Sequence, residues 1–196
     1  MSRPRQIADD VVLDRAINVF WRHGYAAASM RDLTLATGLS AASLYHRYRD
    51  KDGLFAAAIN RYADLGISAR LARLTREPDP IAAIKNFFNE IISLSDDDPH
   101  HLGCLLVNSL LDGGAMSAQA RALVHSRLFE VQGFLKTQIA RARKSSALPD
   151  HINPAAMAEY LTATILSLRV LARIDANPKQ LRRIADQALN ALGCKK

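Results

Sequence analysis

Residues 29–48, SMRDLTLATGLSAASLYHRY, decide the fold of this chain because they carry the start and stop signals of two short helices. Ser29 can cap the first helix, with Asp32 three residues later as its partner in a capping box. Gly38 ends that helix, since glycine enters the left-handed conformation at little cost, and Ser40 can cap the next one. Two short helices joined by a turn that contains glycine are typical of a helix-turn-helix, whose second helix enters the major groove of DNA.

The flanking residues extend this pattern. An apolar stripe with helical spacing comes first, formed by Leu13, Ala16, Ile17 and Phe20. In order along the chain stand Phe-x-x-x-Gly-Tyr, Ser-x-x-x-Leu, Gly-Leu-Ser-x-x-Ser-Leu-Tyr-x-x-Tyr and Lys-x-x-Leu. Together these elements resemble the DNA-binding domain of the tetracycline-repressor (TetR/AcrR) family over residues 11–58. The resemblance implies a homodimer with double-stranded operator DNA and a small-molecule effector as its partners.

Two positions of the second helix depart from the family pattern. Ala41 stands where relatives often have lysine, and Ala42 stands where they often have glycine. The helix that would read DNA therefore has few long polar side chains. We expect few direct base contacts and a larger contribution from the shape of the DNA.

Composition limits the class of protein. The chain has 196 residues, of which 49% are hydrophobic and 23% charged, as is ordinary for a globular protein. Its net charge of +7 suits a nucleic-acid partner, but residues 1–66 hold nine basic and seven acidic residues, so the excess is not concentrated there.

No uncharged apolar run of membrane-spanning length and no secretory signal occur, so we expect a cytoplasmic protein without a membrane partner. Cys104 and Cys194 lie far apart, which argues against a disulfide framework or a zinc site, and no cofactor is expected.

The turn signals fall at helix-length spacing and no sustained alternation occurs, so the sequence predicts an all-α fold. The nine predicted helices lie near residues 8–23, 29–37, 40–47, 51–74, 80–95, 102–112, 117–145, 154–175 and 178–192. The resemblance implies that the first three form a helix-turn-helix domain over residues 1–50. The others form a helical effector-binding and dimerisation domain over residues 51–196, and helix 51–74 is expected to link the two.

The residues expected to contact DNA lie in and around the motif. They are Ser29, Ser40, Ala41, Ala42, Ser43, Tyr45, His46, Arg49 and Lys51. Hydroxyl groups can bond base edges or phosphates, and alanine methyl groups can touch thymine methyls. Tyr45 and His46 match positions that face the DNA backbone in the family. Each of these residues also has a structural alternative, which is helix capping, packing between helices or a solvated surface.

The effector pocket is expected among the middle helices. Its candidate residues are Tyr62, Phe87, Phe88, Ile91, Cys104, Leu105, Asn108, Phe129 and Tyr160, although aromatic residues at helical spacing are most often ordinary core. The segment GCLLVNSLL around Cys104 resembles a segment of family members that sense electrophiles through a cysteine. The alternative is a buried, inert thiol.

Two apolar stripes near the end of the chain predict a dimer surface built as a four-helix bundle. The first stripe contains Met157, Leu161, Ile165 and Leu168, and the second contains Leu181, Ile184, Ala188 and Leu192. The alternative is burial of the same residues inside one chain.

These observations favour a dimeric one-component regulator, in most cases a repressor, that binds a palindromic operator and is released by a small molecule. A thiol-based sensor that acts through Cys104 is a variant of this interpretation. A second class is an enzyme that uses Cys104 and the run DDDPHH at residues 96–101 for thiol or metal chemistry. No phosphate loop, dinucleotide fingerprint or zinc-protease motif supports it, so no catalytic residue and no metal site are predicted. An architectural DNA-binding protein is the third class, but it would not need the long helical body after residue 66.

Overall fold

The computed structural model describes residues 7–96, 100–112, 116–174 and 177–193, and every regular element in these ranges is a helix. The helices are α1 (Asp9–Ala27), α2 (Met30–Thr37), α3 (Ala41–Tyr48), α4 (Lys51–Ala63), α5 (Ala69–Thr75), α6 (Pro80–Asp96), α7 (Leu105–Leu111), α8 (Ala118–Lys144), α9 (Pro154–Ile174) and α10 (Pro178–Asn190). A π-helical turn, Asp64–Ser68, makes α4 and α5 one continuous helix. Counted in this way, the described residues form nine helices, which confirms the predicted all-α class.

The start and stop signals of the helix-turn-helix act as the sequence predicts. The backbone N–H of Asp32 donates to Ser29 Oγ at 3.1 Å, and the backbone N–H of Ser29 donates back to the Asp32 carboxylate at 3.0 Å. Helix α2 ends at Gly38, which has a φ of 75°. Ser40 Oγ then accepts a 3.2 Å bond from the backbone N–H of Ser43 and caps α3. These caps satisfy donors that a helix start leaves free, so the two helices begin at fixed residues.

Helices α1 to α4 share one apolar core, which holds α3 in place. The rings of Phe20 and Phe55 meet edge to face with centroids 5.0 Å apart. Leu33 and Leu44 bring α2 and α3 into the same core, where both side chains are buried. An aromatic pair of this kind contributes about 0.5–1.5 kcal/mol beyond its buried area.

The N-terminal helices are tied to the body by polar contacts of α4 and the π-helical turn. On one side, the Arg61 guanidinium donates to both carboxylate oxygens of Asp14 in α1, at 2.7 and 2.8 Å. On the other side, Arg127 of α8 bonds Asn60 Oδ1 and forms an ion pair with Asp64 at 3.1 Å. Helix α4 therefore contacts both parts of the molecule, as expected for a linking helix. The domain division at residues 50 and 51 stays a prediction, because the buried apolar residues form one continuous core.

The predicted dimer stripes contribute to the core of the single chain. Leu161, Ile165, Leu168, Leu181, Ala188 and Leu192 are all buried within one protomer, and Met157 and Ile184 are half-buried. The assignment of these residues to a dimer surface stays a prediction, although six of the side chains already pack inside one protomer. Helical spacing identifies an apolar face, but it does not tell whether that face meets its own chain or a second copy.

Helix α9 is long and apolar enough to cross a membrane by length and composition alone. Core helices of globular proteins pass the same test. Leu161 and Leu168 of this helix pack in the core of the chain, so α9 is a core helix of this fold.

Candidate functional site

Helix α3 presents a continuous exposed surface. Ala41, Ala42, Tyr45 and His46 are exposed, whereas Leu44 is buried and anchors the helix. The Tyr45 side chain is 46% exposed, which makes it a large aromatic group on the solvent side of a short helix. Tyr45 and His46 are the long side chains of this surface, and Ala41 and Ala42 are small.

The hydroxyl groups of the motif already have structural partners. Ser29 and Ser40 cap α2 and α3, and Ser40 Oγ lies 3.0 Å from Ser43 Oγ. All three residues nevertheless keep exposed or half-exposed positions at helix N-termini. Helix N-termini attract phosphate groups through free N–H groups and the helix dipole, so capping and DNA contact are compatible.

Three basic residues follow Tyr45 and differ in their surroundings. Arg47 is committed to the fold, since it forms an ion pair with Asp9 at 2.8 Å and bonds the carbonyl oxygen of Ile7. Arg49 is exposed and has a φ of 71° at the end of α3. Lys51 is half-buried, with its ammonium 4.5 Å from the centroid of the Tyr25 ring. Burial lowers the pKa of Lys51.

The body contains a cavity of about 180 Å³ between α1, the α4–α5 segment, α6, α7, α8 and α9. Its lining residues are Trp21, Tyr62, Gly66, Ile67, Arg70, Phe87, Ile91, Leu94, Cys104, Val107, Leu128, Val131, Thr162, Ile165, Leu166 and Arg169. The wall is mostly apolar with a few polar groups, as in small-molecule sites. No aspartate or glutamate is among these lining residues.

Four of the nine predicted pocket residues line this cavity, namely Tyr62, Phe87, Ile91 and Cys104. Phe88, Leu105 and Asn108 are buried but face other parts of the core. Phe129 and Tyr160 are 43% and 48% exposed and do not line this cavity. Phe129 stacks on His125 one turn away on the outer face of α8. Helical periodicity alone could not separate these faces, because α8 and α9 each contact several neighbours.

Polar contacts distinguish one end of the cavity. The Tyr62 hydroxyl donates to Cys104 Sγ at 3.8 Å, and burial followed by the neighbouring thiol raises the pKa of Tyr62 well above its ordinary value. Arg169 is only 6% exposed. Its guanidinium donates to Ser95 Oγ at 2.9 Å and to the carbonyl oxygens of Ile91 and Gly103. Arg169 was not among the residues predicted from the sequence. Its signal there is a single arginine within an apolar stretch of a helix.

Trp21 joins the N-terminal helices to this cavity. Its ring meets the Tyr62 ring edge to face, with centroids 5.1 Å apart, and it lines the cavity from α1. The indole Nε1 donates to the carbonyl oxygen of Leu102 at 3.0 Å. A change of shape in the cavity would therefore act directly on α1 as well as on α4.

The acidic run DDDPHH lies partly outside the described residues, as does Cys194. In the part of the chain that the structure does describe, no group of three histidine, cysteine, aspartate or glutamate side chains could hold a metal ion.

Comparison with known families gives two matches. Residues 12–58 match the family described as bacterial regulatory proteins, tetR family. Residues 80–188, more than half of the chain, match the tetracyclin repressor-like C-terminal domain. The first match covers the helix-turn-helix and the first part of α4, and the second covers most of the cavity-lining helices.

Individual relatives match almost the whole chain. The HTH-type transcriptional repressor ComR of Escherichia coli (strain K12) is 29% identical over 96% of this chain and 90% of its own. The uncharacterised HTH-type transcriptional regulator YezE of Bacillus subtilis (strain 168) is 26% identical over 98% of this chain and 100% of its own. A solved structure of a cysteine mutant of the TetR family transcriptional regulator CifR, complexed with 26-bp double-strand operator DNA, has a TM-score of 0.86. It is 27% identical and covers 96% of this chain and 99% of that one.

Proposed function

The chain belongs to the tetR family of bacterial regulatory proteins, and on this premise we propose that it is a dimeric one-component transcriptional repressor. It binds a palindromic operator through α3 and is released when a small molecule occupies the cavity. The exposed face of α3, held by the Ser40 cap and the buried Leu44, is the observation that carries this function. The similar CifR chain was solved with double-strand operator DNA, which supports the same partner here.

The proposed DNA contacts fall into two kinds. Ala41, Ala42 and Ser43 face the base edges, where small side chains allow close approach. Ser29, Ser40, Tyr45, His46, Arg49 and Lys51 bind the sugar-phosphate backbone, which fixes the position of α3 but does not itself read sequence. Most of the proposed contacts are of the second kind, so DNA shape contributes a large share of the specificity.

A dimer places two α3 helices on the two halves of a palindrome. We propose that the second copy packs on the outward faces of α9 and α10 rather than on the buried stripes. Tyr160 and Ile174 are exposed apolar residues of α9, and Ala163 and Ser167 between them are small enough for close helix contact.

Release follows if the effector binds more tightly to a protomer whose N-terminal helices have moved. The cavity wall includes Trp21 of α1 and Gly66 and Ile67 of the π-helical turn. A ligand that displaces these groups changes the spacing of the two α3 helices. Coupling of a few kcal/mol is sufficient for a large change in operator occupancy.

A thiol-based variant of this function is favoured by one observation, which is that Cys104 is a free, buried cysteine that lines the cavity beside Tyr62. An electrophile in the cavity would reach its sulfur. Treatment with N-ethylmaleimide is expected to weaken operator binding by the unaltered protein and not by Cys104→Ser. Unchanged operator affinity after complete alkylation removes this variant.

The site supports binding rather than catalysis, so we assign no enzymatic activity. Residues 1–50 act as the DNA-binding domain and residues 51–196 as the effector and dimer domain. The place of action is the cytoplasm, where the chromosome of a bacterium lies.

An electrophoretic shift with DNA that flanks the protein's own gene tests the proposal. Ala42→Glu puts a carboxylate on the exposed face of α3 and is expected to abolish the specific complex. Ala72→Glu is the matched control, because Ala72 is also exposed and helical but lies in α5. A specific complex at nanomolar protein is expected for the unaltered chain and for the control. Equal binding by the two variants would refute the role of α3.

A further inference from the structure

The charges around the cavity are not balanced. Arg70 lines the cavity and forms an ion pair with Glu90 at 2.9 Å, a carboxylate that it shares with Arg73. Within the described part of the chain, Arg169 donates to three neutral acceptors, which are a hydroxyl and two backbone carbonyl oxygens. Among the side chains that the structure describes, no carboxylate forms an ion pair with Arg169. A positive charge is therefore buried in the cavity wall without an opposite charge in that part of the chain.

A buried guanidinium in this position favours an anionic ligand. Removal of a charge from water is costly, and an opposite charge held by hydrogen bonds offsets that cost. Carboxylates accept two parallel N–H bonds from arginine, and such charged bonds are stronger than neutral ones. A cationic ligand would meet repulsion from the same group.

Tyr62 offers a second donor in the same cavity. Its hydroxyl donates to a sulfur atom at 3.8 Å, and sulfur is a weak acceptor. Burial raises the pKa of Tyr62 most, whereas the charge of Arg169 lowers it, so the field of Arg169 reaches this hydroxyl. A carboxylate oxygen would be a stronger acceptor for the Tyr62 proton than the thiol is.

The size of the cavity limits the apolar part of the ligand. An apolar cavity of about 150 Å³ accommodates one benzene ring, and this cavity has about 180 Å³. Phe87, Ile91 and Leu128 supply the apolar wall. One ring or a short alkyl chain fits, together with one small polar group.

We propose that the effector is a small apolar carboxylate, with its carboxylate group bound by Arg169 and Tyr62 and its ring or chain against the apolar wall. This inference rests on the proposed function, because it names the chemical class of the molecule that releases the repressor.

The test uses benzoate, benzamide and benzamidine, which have nearly the same shape and carry a negative, zero and positive charge. Trp21 is the single tryptophan of the chain and lines the cavity, so its fluorescence reports binding without DNA. Benzoate is expected to bind about tenfold more tightly than benzamide, which equals about 1.4 kcal/mol. Benzamidine is expected to bind most weakly. Equal binding of benzoate and benzamide, tighter binding of benzamidine, or no response to millimolar benzoate overturns the proposal.

Variants assign the preference to Arg169. Arg169→Met is expected to bring benzoate and benzamide within about twofold of each other. Arg173→Met, one turn later on α9 and exposed, is the matched control and keeps the preference. Circular dichroism shows whether Arg169→Met folds. If it does not, Arg169→Lys is used instead, because it keeps the charge. The comparison of the three ligands on the unaltered chain tests the charge preference in either case. A preference that survives in a folded Arg169→Met overturns the role of this residue.

The acidic run that follows Ser95 provides one more control. The triple variant Asp96→Asn, Asp97→Asn and Asp98→Asn is expected to leave the benzoate preference within about twofold of the unaltered chain. A large increase in that preference would mean that the run neutralises Arg169 in the native protein, which contradicts the proposal. Operator binding without ligand is measured separately by the gel shift, so a failed ligand prediction is distinguishable from a failed repressor function.

Discussion

The indole Nε1 of Trp21 donates a 3.0 Å hydrogen bond to the carbonyl oxygen of Leu102. This contact ties the first helix to the loop that leads into Cys104 and α7. The same carbonyl oxygen accepts a 2.7 Å bond from the Asn108 side chain, so two helices are fixed to one backbone group. The cavity and the N-terminal helices thus share a wall as well as a linking helix.

Trp21→Phe is expected to lower the free energy of unfolding by about 1–2 kcal/mol, because it removes one hydrogen bond and part of the buried ring. The cost stays moderate while Asn108 still bonds the Leu102 oxygen. In the double variant with Asn108→Ala that oxygen loses both side-chain donors, so the cost exceeds the sum of the single changes by about 0.5 kcal/mol or more. Urea unfolding of the four proteins measures this, and strict additivity would contradict a shared acceptor.

Gly66→Ala is expected to raise the free energy of unfolding by about 0.5–1 kcal/mol. A Cβ atom at this position meets no atom within 4 Å, so it would enter open space at the cavity wall. Gly133→Ala in α8 is the matched control, because its Cβ also meets nothing and it does not line the cavity. Thermal unfolding compares both variants. Destabilisation by Gly66→Ala alone would show that the π-helical turn needs glycine.

Much of the fold follows from local signals. Ser29, Gly38 and Ser40 fix the two short helices through backbone chemistry within four residues, so the sequence predicts them well. The cavity depends instead on which helix faces meet. Phe87 and Phe88 are adjacent aromatic residues of one helix, yet only Phe87 reaches the cavity. The packing of α6 against segments that are distant in sequence sets that difference, and helical periodicity carries no information about such contacts.

The dimer surface shows the same limit in another form. The apolar stripe that contains Leu161 and Leu168 is strong in the sequence because it fills the protomer's own core. The surface proposed for a second copy has a weaker pattern of small and aromatic residues, such as Ala163 and Tyr160. A surface of this kind is exposed to water before the dimer forms, so its composition resembles that of the remaining surface. It is therefore difficult to recognise in a sequence.

Tyr160→Glu is expected to weaken dimerisation, since it places a charge on the proposed α9 contact surface. Leu65→Glu is the control, because Leu65 is similarly exposed but lies in the π-helical turn. Sedimentation at several concentrations measures the dissociation constant. We expect an increase of about tenfold or more for Tyr160→Glu and little change for Leu65→Glu. A Tyr160→Glu protein that dimerises as well as the control would place the contact elsewhere.

Alkaline pH is expected to destabilise the protein partly through Tyr25. Burial first, and then the hydrogen bond to Asp52, raise the pKa of Tyr25 above its ordinary value of 10.0. Because the pKa of Tyr25 is higher in the folded chain than in the unfolded chain, its contribution to stability is fully present at pH values below the unfolded pKa. That contribution is lost as the pH rises above about 10. Tyr25→Phe should therefore be less stable than the unaltered chain at pH 8, and the gap should narrow above pH 10. Urea unfolding of the two proteins across this pH range measures the gap, and a gap that stays constant above pH 10 would contradict this role of Tyr25.

The salt dependence of operator binding tells whether Lys51 binds a DNA phosphate or only stabilises the protein fold. Lys51 lies close to the Tyr25 ring and the Ala26 carbonyl oxygen, yet it begins α4 where a phosphate would meet free N–H groups. Lys51→Gln is expected to weaken binding to all sequences alike and to lower the slope of log affinity against log salt by about one per protomer. Arg76→Gln, exposed at the far end of α5, should leave the slope unchanged. An unchanged slope for Lys51→Gln would mean that its ammonium serves only the fold, through the ring and carbonyl contacts seen in the unbound protein.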